Sequence, residues 1–206
     1  MDYISIVKAN PISEVGGKLN SMALDYMAYP LIGSKDSKLI EGTLDKLWMY
    51  DSNRFSHQFA FEAQHNNKTV GMIICYPVSL MKKLALPTFR QLMKLRAFSL
   101  IGHSITHIKE LLSIISLNEG RDGEYHIGTV ATLPGSQGHG IGTKLINFAE
   151  EQAKQNHYDK CSLTVKKENE QALKLYEKLG FQIVDAIDKK PYSLYRMVKT
   201  LYPSLA

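Results

Sequence analysis

Apolar positions along the chain switch between a period of two and a period of about 3.6, and the switches outline the elements. Residues 2–8 place Tyr3, Ile4, Ile6 and Val7 in a short strand-like pattern. Residues 11–29 and 37–50 read as helices, the second from its stripe Leu39, Ile40, Leu44 and Leu47. Pro30 and Gly33 punctuate the join. Residues 58–63 and 69–76 read as paired strands around the turn His65-Asn66-Asn67-Lys68. From 77 to 123 the pattern turns helical and basic, with helices expected near 88–98 and 106–115. It reads as an insertion between strands. Strand character returns over 124–133. A helix follows at 138–155, with Ile141, Leu145, Phe148, Ala149 and Ala153 on one face. Residues 161–165 read as a strand, 169–179 as a helix stopped by Gly180, and 181–187 and 194–199 as two final strands. Strands interleaved with helices predict an α/β fold, and 206 residues point to one domain over 1–206 with a helical insertion at about 77–123.

Composition narrows the class. Hydrophobic residues make up 44% and charged residues 22%, so the chain is neither disordered nor fibrous. The longest uncharged run, 125–143, is rich in Gly, Ser and Thr and is not a membrane span. The start, MDYISIVKAN, lacks a basic region followed by an apolar stretch, and Cys75 and Cys161 form no CxxC or Cys/His cluster. Reduced thiols, a cytoplasmic location and no metal site are the expectation. The net charge of +5 lies in one segment. Between Met81 and Glu110, Lys82, Lys83, Arg90, Lys94, Arg96 and Lys109 stand against Glu110 alone. Such a segment suits an anionic partner, but it reads first as the solvated face of an amphipathic helix. No zinc finger, RGG tract or aromatic–basic RNA motif accompanies it, so nucleic acid is not the expected partner.

The chemistry concentrates in Thr132-Leu-Pro-Gly-Ser-Gln-Gly-His-Gly-Ile-Gly-Thr143, between a strand and a helix. Glycines at such a turn let backbone N–H groups close on an anion at the helix N-terminus. A Walker loop needs Gly-Lys-Ser/Thr, and here the order is Gly142-Thr143-Lys144. A GxGxxG fingerprint starting at Gly138 needs glycine at Thr143. What fits is Gln-x-x-Gly-x-Gly over Gln137, Gly138, His139, Gly140, Ile141 and Gly142, followed by Asn169-Glu-Gln-Ala-Leu-Lys-Leu-Tyr176-Glu-Lys-Leu-Gly-Phe181. Both stretches resemble the motifs of the GNAT superfamily of N-acetyltransferases, in order and in strand–helix context. The resemblance covers residues 124 to about 184.

That resemblance implies a twisted, mostly antiparallel sheet with a splay between the fourth and fifth strands, where acetyl-CoA inserts as co-substrate. It implies that the backbone of Val130, Ala131 and Thr132 pairs with the pantetheine arm. The segment Gln137, Gly138, His139, Gly140, Ile141, Gly142 and Thr143 cradles the pyrophosphate, and Asn169 bonds the pantetheine or caps its helix. Tyr176 protonates the departing thiolate. Acetyl transfer to a primary amine would proceed by direct attack in a ternary complex. Many members use a strand glutamate as base; one of its positions falls on Thr164, which cannot serve, and another on His126.

Alternation puts His126 on a strand face with Glu124, Gly128, Val130 and Thr132, and histidine titrates near neutrality, about 6.5. His126 is therefore the first candidate base, Glu124 the second and loss of the proton to water the third. The alternative at this stage is a non-catalytic acyl-CoA-binding or regulatory module. A homodimer is compatible with the sequence, and the acceptor amine has no signature.

Overall fold

The computed structural model describes residues 4–100, 117, 119–189 and 192–202. Among these residues seven strands form one sheet: β1 (Ile4–Lys8), β2 (Ala60–His65), β3 (Lys68–Pro77), β4 (Tyr125–Thr132), β5 (Lys160–Lys166), β6 (Gln182–Lys189) and β7 (Tyr192–Thr200). Their order is β1-β2-β3-β4-β5-β7-β6. Every neighbouring pair is antiparallel except β4 and β5, which run parallel. This is the mixed, mostly antiparallel sheet the resemblance implies.

Among the described residues six α-helices cover the sheet: α1 (Gly16–Leu24), α2 (Ala28–Ile32), α3 (Ser37–Met49), α4 (Val78–Leu100), α5 (Ile141–Gln155) and α6 (Glu170–Lys178). On one face, Leu145, Ile146, Ala149 and Ala153 of α5 and Tyr176 of α6 bury Ile73, Ile127, Leu163 and Met197. The other face carries two clusters. Leu19 of α1, Trp48 of α3 and Val78, Met81 and Leu84 of α4 pack on Met72, Ile74 and Tyr76. Leu31 and Ile32 of α2 join Ile40, Leu44 and Leu47 of α3, Leu92 of α4 and Leu194 of β7. Burial of side chains of this kind is worth about 1.5–3 kcal/mol each.

Two expectations shift. Residues 11–29 form not one helix but α1, a single 3-10 turn at Asp25–Met27, and α2, because Asp25 takes a left-handed φ of 51° that ends α1. The helix expected near 88–98 starts ten residues earlier, at Val78, directly after β3. Val78, Met81, Leu84, Thr88 and Leu92 lie buried along one side, and this stripe carries the helix through Pro87 despite its missing N–H. The helix expected near 106–115 lies outside the described residues. The basic segment is also less uniform than a solvated face. Arg90 and Lys94 are exposed and Lys82 pairs with Asp122 at 2.8 Å. Arg96, however, is buried and donates from Nε to the Ile32 carbonyl at 3.0 Å.

One local irregularity organises the site. β4 pairs with β5 only through Tyr125↔Cys161, His126↔Ser162 and Ile127↔Leu163. On its other side, β4 pairs with β3 from Tyr125 to Thr132, but the register steps from Cys75↔Ile127 to Ile74↔Thr129, leaving Gly128 as an extra residue. Such a bulge bends its strand. Pairing with β5 stops at the residue before it, so the strands diverge and the backbone of 128–132 has no β5 partner. The bulge also corrects the expected alternation. Val130 packs on the α5 face and Ala131 on the Tyr76 face, so His126 and Val130 do not share a side.

Candidate active site

The divergence of β4 from β5 opens a cleft of about 550 Å3. Its walls are β4 from Ile127 to Thr132, β5 from Leu163 to Lys166, the loop and first turn leading into α5, and α6. Among the residues singled out from the sequence, Val130, Ala131, Thr132, Gln137, Gly138, Gly140, Ile141, Gly142, Thr143, Asn169 and Tyr176 all line it. His139 is exposed and stands outside the lining.

The turn into α5 is built for an anion. Gly138 and Gly140 have φ of 81° and 74°, a region where a side chain is strained, and a Cβ at either would meet only open space. Gly140 is the N-cap, and no side chain caps the helix. The first intrahelical bond runs from the Lys144 N–H to the Gly140 carbonyl at 3.0 Å. The N–H groups of Ile141, Gly142 and Thr143 therefore have no intrahelical acceptor, and they point out of a helix end that carries partial positive charge. Asn169 caps α6, its Oδ1 accepting from the Ala172 N–H at 3.0 Å. Tyr176 is buried against Phe181, with ring centroids 6.1 Å apart, and burial pushes its hydroxyl up to about 12, so it holds its proton across the physiological range.

The structure places the two candidate bases differently. His126 is fully buried and Glu124 nearly so, and neither lines this cleft. Glu124 is held by the Arg196 guanidinium and by the Arg121 N–H at 2.9 Å. Sequence reading passed over several charged or polar residues of the lining, among them Arg54, Tyr76 and Glu119. Arg54 sits in the turn after α3, where its N–H donates to Thr88 Oγ1 of α4 at 3.0 Å. Its Nη2 donates to Glu119 Oε1 at 2.8 Å. Burial alone would raise the Glu119 carboxyl, but Arg54 and His126 outweigh it and hold the group at about 2. Tyr76 bonds the same guanidinium, and its hydroxyl fills the space beside Gly128, where a Cβ would lie 2.7 Å from Oη.

The remaining wall is mainly apolar: Met22, Ala23, Leu24 and Met27 with Phe55 and Leu194. At its rim Asp25 pairs with Lys166, whose Nζ lies 4.4 Å from the centre of the Tyr26 ring. Cys75 and Cys161 are buried free thiols away from the cleft. Among the described residues no group of three or more His, Cys, Asp or Glu side chains could hold a metal ion, and no helix is long and apolar enough to cross a membrane.

A split between parallel strands, an uncapped glycine turn and a buried tyrosine on the facing helix define an acyl-group transferase of one architecture. The chain belongs to the acetyltransferase (GNAT) family, which it matches over residues 24–181. It is similar to an N-acetyltransferase from Staphylococcus aureus Mu50, at 26% identity and a TM-score of 0.72, covering 94% of this chain and 99% of that one. A GNAT acetyltransferase from Elizabethkingia anophelis, solved with acetyl-CoA bound, shares the fold at 18% identity and a TM-score of 0.53, over 97% and 99% of the two chains. A 56-residue stretch is 39% identical to N-alpha-acetyltransferase 30 of Saccharomyces cerevisiae. That match spans 27% of this chain and 32% of the yeast protein.

Proposed function

We propose that the protein transfers the acetyl group of acetyl-CoA to a primary amine by direct attack within a ternary complex. The observation that carries this reading is the cleft itself. An anion-receptive helix end lies at one end, free strand backbone along one side, and a protonated tyrosine with a buried acid–base cluster completes the lining. The acetyl-CoA bound to the E. anophelis neighbour supports the same choice of co-substrate. In this reading the N–H groups of the Gly138–Thr143 turn hold the pyrophosphate, and the edge of Val130, Ala131 and Thr132 that faces away from β3 holds the pantetheine. A strand N–H aimed at the thioester carbonyl supplies oxyanion stabilisation, worth about 3–4 kcal/mol per donor.

The amine approaches from the wall formed by Met22, Leu24, Met27 and Phe55, which favours an acceptor with an apolar body next to its nitrogen. Methionine-lined surfaces adapt to more than one shape. An ammonium ion has no lone pair, so it must first lose a proton. His126, behind Glu119, takes it. The freed pair forms the C–N bond, the C–S bond breaks, and Tyr176 protonates the leaving thiolate. The proton shed as the amide forms restores Tyr176, and the one held by His126 returns to water.

The test is thiol release from acetyl-CoA against a panel of amines spanning polyamines, amino acids, aminoglycosides, arylalkylamines and peptides with free N-termini. Thiol release that depends on an amine, with matching acetylated product, supports the reading. Tight acetyl-CoA binding with no turnover on any amine would instead indicate a non-catalytic binding module.

A further inference from the structure

The charged side chains lining the cleft come in two matched pairs. Among the described residues the lining carries four formal charges, those of Asp25, Arg54, Glu119 and Lys166. Lys166 donates to Asp25 Oδ2, and Arg54 Nη2 donates to Glu119 Oε1 at 2.8 Å. Two cations face two carboxylates, so this lining is neutral. The next carboxylate after Lys166, that of Glu168, is exposed and lies outside it. The pairs come from the same segments as the apolar wall. Asp25 stands in the stretch that supplies Met22, Leu24 and Met27, and Arg54 immediately precedes Phe55.

Neither pair is at liberty to turn towards a ligand. The Arg54 and Glu119 side chains are 10% and 12% exposed. The Arg54 backbone is fixed to α4, its N–H donating to Thr88 Oγ1 at 3.0 Å, while Thr88 Oγ1 itself donates to the Leu84 carbonyl at 2.7 Å. The neighbouring Phe55 is held at both ends. Its N–H donates to Asn53 Oδ1 at 2.9 Å, and its carbonyl accepts from Asn20 Nδ2 at 3.3 Å. At the rim the Lys166 side chain is 12% exposed, with Nζ over the Tyr26 ring as well as against Asp25. A charge taken out of water needs a partner, and a partner already engaged is won only by breaking its own pair.

We infer that the cleft selects monoamines whose remaining body is uncharged and apolar, and that Asp25 and Lys166 are specificity-determining residues which, by neutralising each other, exclude acceptors bearing a second charge of either sign. The inference rests on the acetyl-transfer reading for the reacting amine. That amine gives up its charge when it becomes an amide. A second ammonium, a carboxylate or a phosphate on the same molecule keeps its charge throughout and meets no unengaged counter-ion in the lining. Polyamines, aminoglycosides and free amino acids are thereby disfavoured. Small alkyl- and arylalkylamines fit, and so does the N-terminus of a peptide with an apolar first residue. Rejection by a charge left without a partner is specificity of the exclusion type.

Matched acceptors isolate the second charge. Pentylamine and cadaverine differ by one ammonium, phenylalanine amide and phenylalanine by one carboxylate. Phenylethylamine against phenylalanine amide separates a free amine from a peptide-like terminus. In the unmodified protein kcat/KM should favour the singly charged member of each pair by about 10–100-fold, the effect of a desolvated charge left unpartnered. Asp25→Asn keeps a residue that tolerates the left-handed φ of 51° and releases Lys166. It should raise phenylalanine relative to its amide by about 2–5-fold, the worth of a partly exposed ion pair, without raising cadaverine relative to pentylamine. Lys166→Met keeps the stem on Tyr26 and releases Asp25, so it should raise the cadaverine ratio alone. Ratios within one variant cancel any loss of folded protein, and a merely structural pair would not move them in opposite senses. Equal rates within both matched pairs in the unmodified protein overturn the inference. So do variant ratios that stay fixed or move together. Should no amine be acetylated, the acetyl-transfer reading fails by itself, and calorimetric titration of the same amines into the protein saturated with CoA decides the charge rule. Tighter binding of the singly charged members supports it, and equal binding or none overturns it.

Discussion

Gly128→Ala places one methyl group at the point where β4 leaves β5, and the structure sets what that methyl meets. Its Cβ would lie 2.7 Å from Tyr76 Oη and 3.2 Å from Cζ. Reaching ordinary contact at 3.4 Å requires the hydroxyl to move by about 0.7 Å. Tyr76 is not a loose side-chain end. It is 2% exposed, Phe59 packs edge-on against it at 5.8 Å, and its hydroxyl bonds Arg54. Overpacking of a well-filled site costs about 1–3 kcal/mol. For a chain of this size that lowers Tm by about 2–12 °C, at 2–4 °C per kcal/mol. The assay is a double-mutant cycle read by thermal and urea unfolding. Tyr76→Phe removes the clashing oxygen, so Gly128→Ala should cost less in the Tyr76→Phe background, with a coupling of about 0.5–3 kcal/mol. An unchanged Tm in Gly128→Ala, or strictly additive costs in the pair, would refute the view that Gly128 exists to admit the tyrosine hydroxyl.

Two further outcomes follow from the site. Tyr176→Phe keeps the ring packed on Phe181 and deletes the hydroxyl, so kcat should fall by about 10²–10⁴-fold with acetyl-CoA affinity retained; with its hydroxyl near 12, Tyr176 should not be the source of any basic limb seen below about pH 11. Glu119 is held at about 2 in the folded chain against an unfolded value of about 4.3, so its ionised form adds on the order of 3 kcal/mol above pH 5. That contribution is lost as pH falls towards 2, and Glu119→Gln should flatten this part of the stability–pH curve measured by urea midpoints.

The glycine turn and the α6 motif were legible in the sequence because each is local. Their residues are consecutive, and the strand–turn–helix context that gives them meaning lies within a few residues. The helix stripes and the strand pairing around 65–68 were legible for the same reason. The start of α4 was not, because Pro87 and the surrounding lysines masked a buried stripe that only packing on Met72 and Tyr76 reveals. The bulge at Gly128 was hidden as well. A single extra residue changes the face of everything after it, and alternation carries no mark of where that happens. Arg54, Tyr76 and Glu119 come from the turn after α3, from β3 and from the segment before β4. No spacing rule connects them. Tyr76 stands in an apolar strand while Arg54 and Glu119 stand in polar turns, so no shared pattern marks the three until β3 and β4 are paired.

The claim that organises the account is that the β4–β5 split, closed at one end by the Gly138–Thr143 turn, is the seat of acetyl-CoA. Calorimetric titration of acetyl-CoA into the protein and into Gly140→Val tests it most directly. Gly140 has a φ of 74° and open space where its Cβ would lie. Valine there strains the turn by about 1–2 kcal/mol and sets a branched side chain where the pyrophosphate is to lie, while the fold survives. The account predicts one binding site per chain in the unmodified protein and no measurable binding in a folded Gly140→Val. Undiminished binding in Gly140→Val, or no binding to the unmodified protein, would contradict it.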